Sequence, residues 1–215
     1  MERIHLLFTA IILIISISLH EYAHAWMANR LWDPTPKIQG RLTPSPLAHI
    51  DPIGFVLVFL VGFGRGRPVQ YNPQYLRHPL KDELQIALAW PAMNIILTIG
   101  GMFILIAYQS IFLAKDIIIL WWGDLVTTFW MQFCFMNIAL AVFNMIPMPP
   151  LDGYRLIKIF FPDIVWRIEW YGQYILLGFV LLFIRGPGSW LLQQYITWVS
   201  SWIFNFLYSI ISVFL

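Results

Sequence analysis

The chain has 215 residues, of which 60% are hydrophobic and 11% charged. A soluble domain carries about 25% charged residues, so a water-covered globular surface is excluded and lipid must cover much of the protein. A formal net charge of +2 with no basic stripe excludes nucleic acid as a partner. The single Cys134 excludes an intramolecular disulfide or a CxxC metal site.

Residues 4–28 carry no Lys, Arg or Asp. They are long enough to span, since a crossing takes about 20 residues. Inside this stretch lies His20-Glu21-Tyr22-Ala23-His24. Two histidines four apart share one helix face and can reach one metal ion. The glutamate between them is spaced to act on a metal-bound water. Such polar groups are costly in a membrane unless they serve a function. Ala23-His24-Ala25 also resembles a secretory cleavage site, but the polar insertion and the later spans favour a retained helix. Ser16 and Ser18 read as helix-packing residues.

Residues 29–51 are polar, and Pro34, Pro36, Pro44 and Pro46 exclude a long helix. Gln39 to Thr43 is expected to form a short edge strand. Residues 52–64 are apolar but too short to cross, and Gly54, Gly62 and Gly64 suit a re-entrant segment. Residues 65–83 are polar and irregular. Residues 84–114 read as a second span, interrupted by Pro91 and Asn94, and residues 123–146 as a third. After Asn144-Met-Ile-Pro147 come Pro149 and Pro150, which break the helix before Asp152-Gly153. Residues 162–173 are amphipathic. The apolar residues 174–184 and 190–215 add one or two spans. The expected fold is an all-α polytopic membrane protein, a single domain over residues 1–215 with a core in 1–160 and additional helices in 161–215.

A hydrolytic zinc needs three protein ligands and an open position. His20 and His24 supply two. Asp33 and Asp51 lie in the polar loop, and Asp82 and Glu83 start a span among basic residues. Asp163 and Glu169 lie in the amphipathic segment, while Glu2, Asp116 and Asp124 belong near the opposite end. Asp152 stands alone between apolar stretches. N-capping of the next helix is its competing role; the need for a third ligand favours metal. Topology agrees. If residues 52–64 do not cross, the first and third spans run the same way and bring Asp152 to the face of His20 and His24. Arg30, Lys37, Arg41, Arg65, Arg67, Arg77 and Lys81 then share the cytoplasmic side. Glu21 is the expected general base. Asn94 and Asn144 are the expected oxyanion donors, with interhelical hydrogen bonding as their other use. His49 sits at the mouth of the site, His5 at the wrong end, and His78 at the interface.

With His20-Glu21-x-x-His24, Pro91-x-x-Asn94 and Asn144-x-x-Pro147-x-Pro149-x-Leu151-Asp152-Gly153 in order, the chain resembles the site-2 protease family, the intramembrane zinc metalloproteases. Gly40-Arg41-Leu42-Thr43, His49-Ile50-Asp51-Pro52 and Pro68-Val69-x-Tyr71-Asn72-Pro73 resemble its short prokaryotic branch, which has no appended PDZ or CBS domain. The resemblance implies three helices around one zinc and a membrane-associated β-hairpin region after the first. It implies zinc ligation by His20, His24 and Asp152, the base at Glu21, and site asparagines at Asn94 and Asn144. It also implies cleavage of transmembrane protein substrates within the bilayer, in the cytoplasmic membrane of a prokaryote. One departure is Trp90, where the family usually has glycine. A zinc or proton transporter and an inactive binder of transmembrane segments are the rival functions, and homo-oligomerisation stays open. A transporter needs polar residues across the full depth, whereas here they cluster on one side.

Overall fold

The computed structural model describes the chain apart from residues 1, 62–65, 113–119, 150, 185 and 214–215. Gly62, Gly64, Arg65, Asp116 and the Pro150 half of the proline break lie outside the described residues. Among the described residues all regular structure is helical. α1 (Glu2–Arg30), α5 (Pro79–Phe112) and α6 (Leu120–Asn144) are the helices long and apolar enough to cross a membrane. Between α1 and α5 lie α2 (Thr35–Ile38), α3 (Pro46–His49), α4 (Pro52–Val61) and a 3-10 turn at Pro73–Tyr75. After α6 come α7 (Gly153–Phe160), α8 (Pro162–Phe179), which continues as a π-turn over Val180–Ile184, and α9 (Ser189–Ile211).

The helix directions follow from side-chain contacts. At one end Phe8 of α1 meets Phe129 of α6 with ring centroids 5.2 Å apart, and Gln132 donates to Thr9 Oγ1 at 2.8 Å. At the other end α6 leads into Asp152, beside His20 and His24. α1 and α6 are therefore parallel. α5 starts beside His24, whose ring bonds Ile86 O, and passes Asn137 and Cys134 in reverse order, so it runs antiparallel to both. This is the arrangement that non-crossing of residues 52–64 requires. α4 has ten residues, about 15 Å at 1.5 Å each, half a hydrocarbon core.

α9 matches the spanning helices in length, but Gln193, Gln194, Ser200 and Asn205 dilute its apolarity. It packs along α5 and α6. Ile211 joins Met102, Ile106, Cys134 and Ile138 in one buried cluster, and Tyr208 donates to Gln109 at 3.4 Å. Cys134 is fully buried there, the apolar filler that its sequence setting suggests.

Pro91 does not interrupt α5, which is continuous from Pro79 to Phe112. Among the described residues neither the expected edge strand at Gln39–Thr43 nor the β-hairpin region implied after the first helix is formed. Pro36 lies in the first turn of α2, Asp33 accepts from Thr35 N–H at 2.9 Å, and Gly40 turns the chain at φ 68°. An isolated strand has no partner to satisfy its backbone, whereas a capped turn satisfies itself.

α1 ends in a Schellman-type turn. Trp32 adopts φ 76°, and Asp33 N–H bonds Ala28 O at 3.0 Å. The Asp33 carboxylate is fully buried and also accepts from Asn72 N–H at 2.7 Å, which pins the extended strap of residues 66–72 to the end of α1. Asp33→Ala leaves two backbone donors unpaired, at about 1–3 kcal/mol each. Thermal unfolding in detergent is expected to drop by several degrees, and Asp33→Asn, which keeps an acceptor, by less.

Candidate metal centre

The α-helical repeat places His20 and His24 one above the other on α1. Their ring centroids are 5.2 Å apart. Each Nε2 faces Asp152 Oδ2, at 3.3 Å from His20 and 3.5 Å from His24. The three ligand atoms lie within 4.8 Å of one another. The other nitrogen of His24 bonds Ile86 O at 3.0 Å. A carbonyl only accepts, so Nδ1 carries a proton and Nε2 is the nitrogen that faces the cluster. That Nε2 is buried and makes no hydrogen bond. Two buried imidazole nitrogens and a carboxylate form a donor set suited to zinc, and His24 has the outer hydrogen bond that metal-bound histidines usually have.

Asp152 occupies the N-cap position of α7, yet its side chain makes no capping hydrogen bond. It turns instead to the two histidines and to Arg155, whose Nε lies 3.2 Å from Oδ1. Gly153 permits this turn. A Cβ there would meet Met145 O at 2.4 Å and Ile146 O at 2.6 Å, so the start of α7 can lie directly on the end of α6. Burial favours the neutral acid at Asp152, but the pull of His24 and His20 outweighs it and holds the carboxyl well below the usual carboxylate range.

Three other carboxylates weighed from sequence have structural employment. Asp33 pins the strap, Asp51 accepts from Ile53 N–H at the start of α4, and Asp82 accepts from His78 N–H. His49 is buried and bonds Thr43 O at 2.6 Å through Nε2; its own carbonyl accepts from Arg67 N–H at 2.7 Å. It does not join the cluster. His5 lies near the far end of α1 with Thr9.

The ligands face a cavity of about 210 Å³, which Glu21 and Asn144 also line. Glu21 is buried, and its Oε2 accepts from Val69 N–H at 3.0 Å. The strap can approach so closely because residue 66 is glycine; a Cβ there would stand 2.8 Å from Ile17 Cγ2 and 3.6 Å from Glu21 Oε1. Asn144 bonds Leu140 O at 3.1 Å. Asn94 is not at the cavity wall. It is fully buried between α5 and α6, where its amide donates to Asn137 O at 3.3 Å. Trp90 is also fully buried, and its ring lies over His20 with centroids 5.0 Å apart. The bulk that replaces glycine thus becomes a wall that fixes one ligand.

Three residues at or behind the site escaped the sequence reading. Asn137 joins α5 to α6. Arg155 lines the cavity and lies over the Tyr71 ring, 5.1 Å from its centroid. Burial pushes the Tyr71 hydroxyl above its ordinary pKa, so it stays neutral. The available signals were an amide two turns before Asn144 and a cation three residues after Asp152.

These features define a chain with three long apolar helices and a two-histidine, one-carboxylate cluster that could hold a metal ion beside a buried glutamate. It is similar to several named proteins. The model of Peptidase family M50 matches residues 111–184. The chain is 37% identical to "Putative zinc metalloprotease YwhC" of Bacillus subtilis (strain 168), over 86% of this chain and 84% of that protein. It is 27% identical to "Putative zinc metalloprotease Rip2" of Mycolicibacterium smegmatis, over 67% of this chain and 54% of that protein. Rip2 of Mycobacterium tuberculosis H37Rv is also 27% identical, with the same coverage. No solved structure gives a significant match. The chain belongs to peptidase family M50, the site-2 protease family.

Proposed function

We propose that the chain is an intramembrane zinc metalloendopeptidase that hydrolyses peptide bonds of transmembrane proteins near the cytoplasmic side of a prokaryotic cytoplasmic membrane. One observation carries this reading: His20 Nε2 and the unbonded, buried Nε2 of His24 converge on Asp152 Oδ2, with Glu21 at the same cavity. His20, His24 and Asp152 would hold one zinc per chain. A zinc ion there supplies an acidified water and polarises a peptide carbonyl.

The chain's own groups do the rest. Glu21 takes the proton that the water loses and returns it to the leaving amine. Val69 N–H holds one Glu21 oxygen, which leaves the other for proton transfer. Asn144, on the cavity wall, offers an amide to the developing oxyanion. Asn94 works from behind, holding α5 against α6. α4, too short to cross, is a re-entrant segment that keeps the polar loops on the side of the metal, and water enters through the proline-rich loops. A substrate helix unwinds before cleavage, because its amides are internally bonded.

A single-span reporter in liposomes tests the reading. Wild-type protein is expected to cleave it, a zinc chelator to stop cleavage, and added zinc to restore it. Metal-dependent capture of the reporter without cleavage would overturn the hydrolytic role.

A further inference from the structure

We propose that Arg155 is the positioning residue of the metal centre: its guanidinium takes one oxygen of Asp152 and so presents the other, alone, to the ion. The two oxygens of Asp152 do different work. Oδ2 faces both histidines at 3.3 and 3.5 Å, while Oδ1 meets Arg155 Nε at 3.2 Å. A carboxylate free to swing can take a metal through both oxygens and fill the position that a hydrolytic site must keep open. A guanidinium is planar and always charged, so it fixes the carboxylate plane in a way that a point charge does not.

The N-terminal end of a helix disfavours a cation at this place, and the carboxylate three residues earlier is what offsets it. Arg155 is the third residue of α7, in its first turn. Exposed helix N–H groups make that end positive, so a basic residue there is unfavourable, and glutamate is the residue that completes a capping box. The Arg155 side chain is also mostly buried, at 24% exposure, and its Nη1 is buried with no hydrogen-bond partner. Burying a cation is costly without compensation. The compensation here is Asp152, with the Tyr71 ring as the second contact. α7 therefore carries, against the preference of its N-terminus, an arginine paired to the carboxylate whose other oxygen faces both histidines.

The inference rests on the zinc reading above, and the two fail separately. The test uses full-length protein in detergent, with zinc affinity measured by competition against a chelator. Melting temperature is measured with and without zinc. Loss of an outer partner of a ligand costs about 10–100-fold in metal affinity. Arg155→Met is expected to show a loss of that size, while its metal-free form melts where the metal-free wild type does. Arg155→Lys is expected to restore part of the affinity, since it returns the charge but not the planar fork. Tyr71→Leu is expected to leave zinc affinity near wild type. Undiminished affinity in Arg155→Met overturns the proposal, as does an equal loss in Tyr71→Leu, which would make the arginine a clamp on the strap. If Arg155→Met does not fold, Arg155→Lys decides, and wild-type affinity there overturns the proposal. A wild type that holds no zinc fails the function reading instead.

Discussion

Glu21→Gln is expected to retain zinc and to lose cleavage by about 10²–10⁴-fold, the range that a positioned general base supplies. The substitution is close to isosteric. A glutamine oxygen still accepts from Val69 N–H, now 3.0 Å from Glu21 Oε2, so the strap keeps its anchor. Gly66, which lies beside the carboxylate, meets no new bulk. What disappears is the basicity. An amide cannot take a proton from water near neutral pH, so the transfer to the leaving amine has no carrier. Reporter cleavage and metal content are measured on the same preparation. Cleavage equal to wild type would exclude Glu21 as the base. Loss of zinc together with cleavage would assign the residue to holding the site.

Asp152→Ala is expected to empty the metal site. The two histidines remain on α1, and a two-nitrogen site lacks the charge and the third contact that zinc needs. The loss should exceed the roughly 10–100-fold cost of removing an outer partner. It also strands Arg155, whose carboxylate partner is gone, so the start of α7 is left with a mostly buried and uncompensated cation. Zinc per chain after purification is the readout, expected to fall from one to near zero. Undiminished zinc would remove Asp152 from the ligand set. Glu21→Gln thus keeps the metal and loses the chemistry, whereas Asp152→Ala loses the metal first. The pair separates base from ligand without reliance on activity alone.

Much of the fold was legible because its causes are local or set by solvent. The His20-Glu21-x-x-His24 spacing places two imidazoles on one face through the helical repeat alone. The apolar stretches around 4–28, 84–114 and 123–146 are where α1, α5 and α6 form, since a bilayer rewards any segment that satisfies its own backbone. Local signals failed where two of them competed. At Gln39–Thr43 a weak strand pattern lost to the Asp33–Thr35 turn that leads into α2 and to the turn at Gly40. At Pro91 a helix-breaking residue was tolerated inside a continuous helix.

The sequence by itself determined the membrane class, the three long apolar stretches and the two-histidine motif, because periodicity and hydropathy are properties of neighbouring residues. Only the tertiary structure decided that Asp152 turns away from its capping position toward His20 and His24. Only the fold brings Val69 N–H to Glu21, 48 residues away, and the His24 ring to Ile86 O, 62 residues away. The same holds for Asn94, which reads as a site amide and sits instead between two helices. The physical reason is common to all of them. A polar side chain on an apolar helix must be satisfied, and its spacing says that a partner exists; which partner depends on helix packing, which no local pattern encodes.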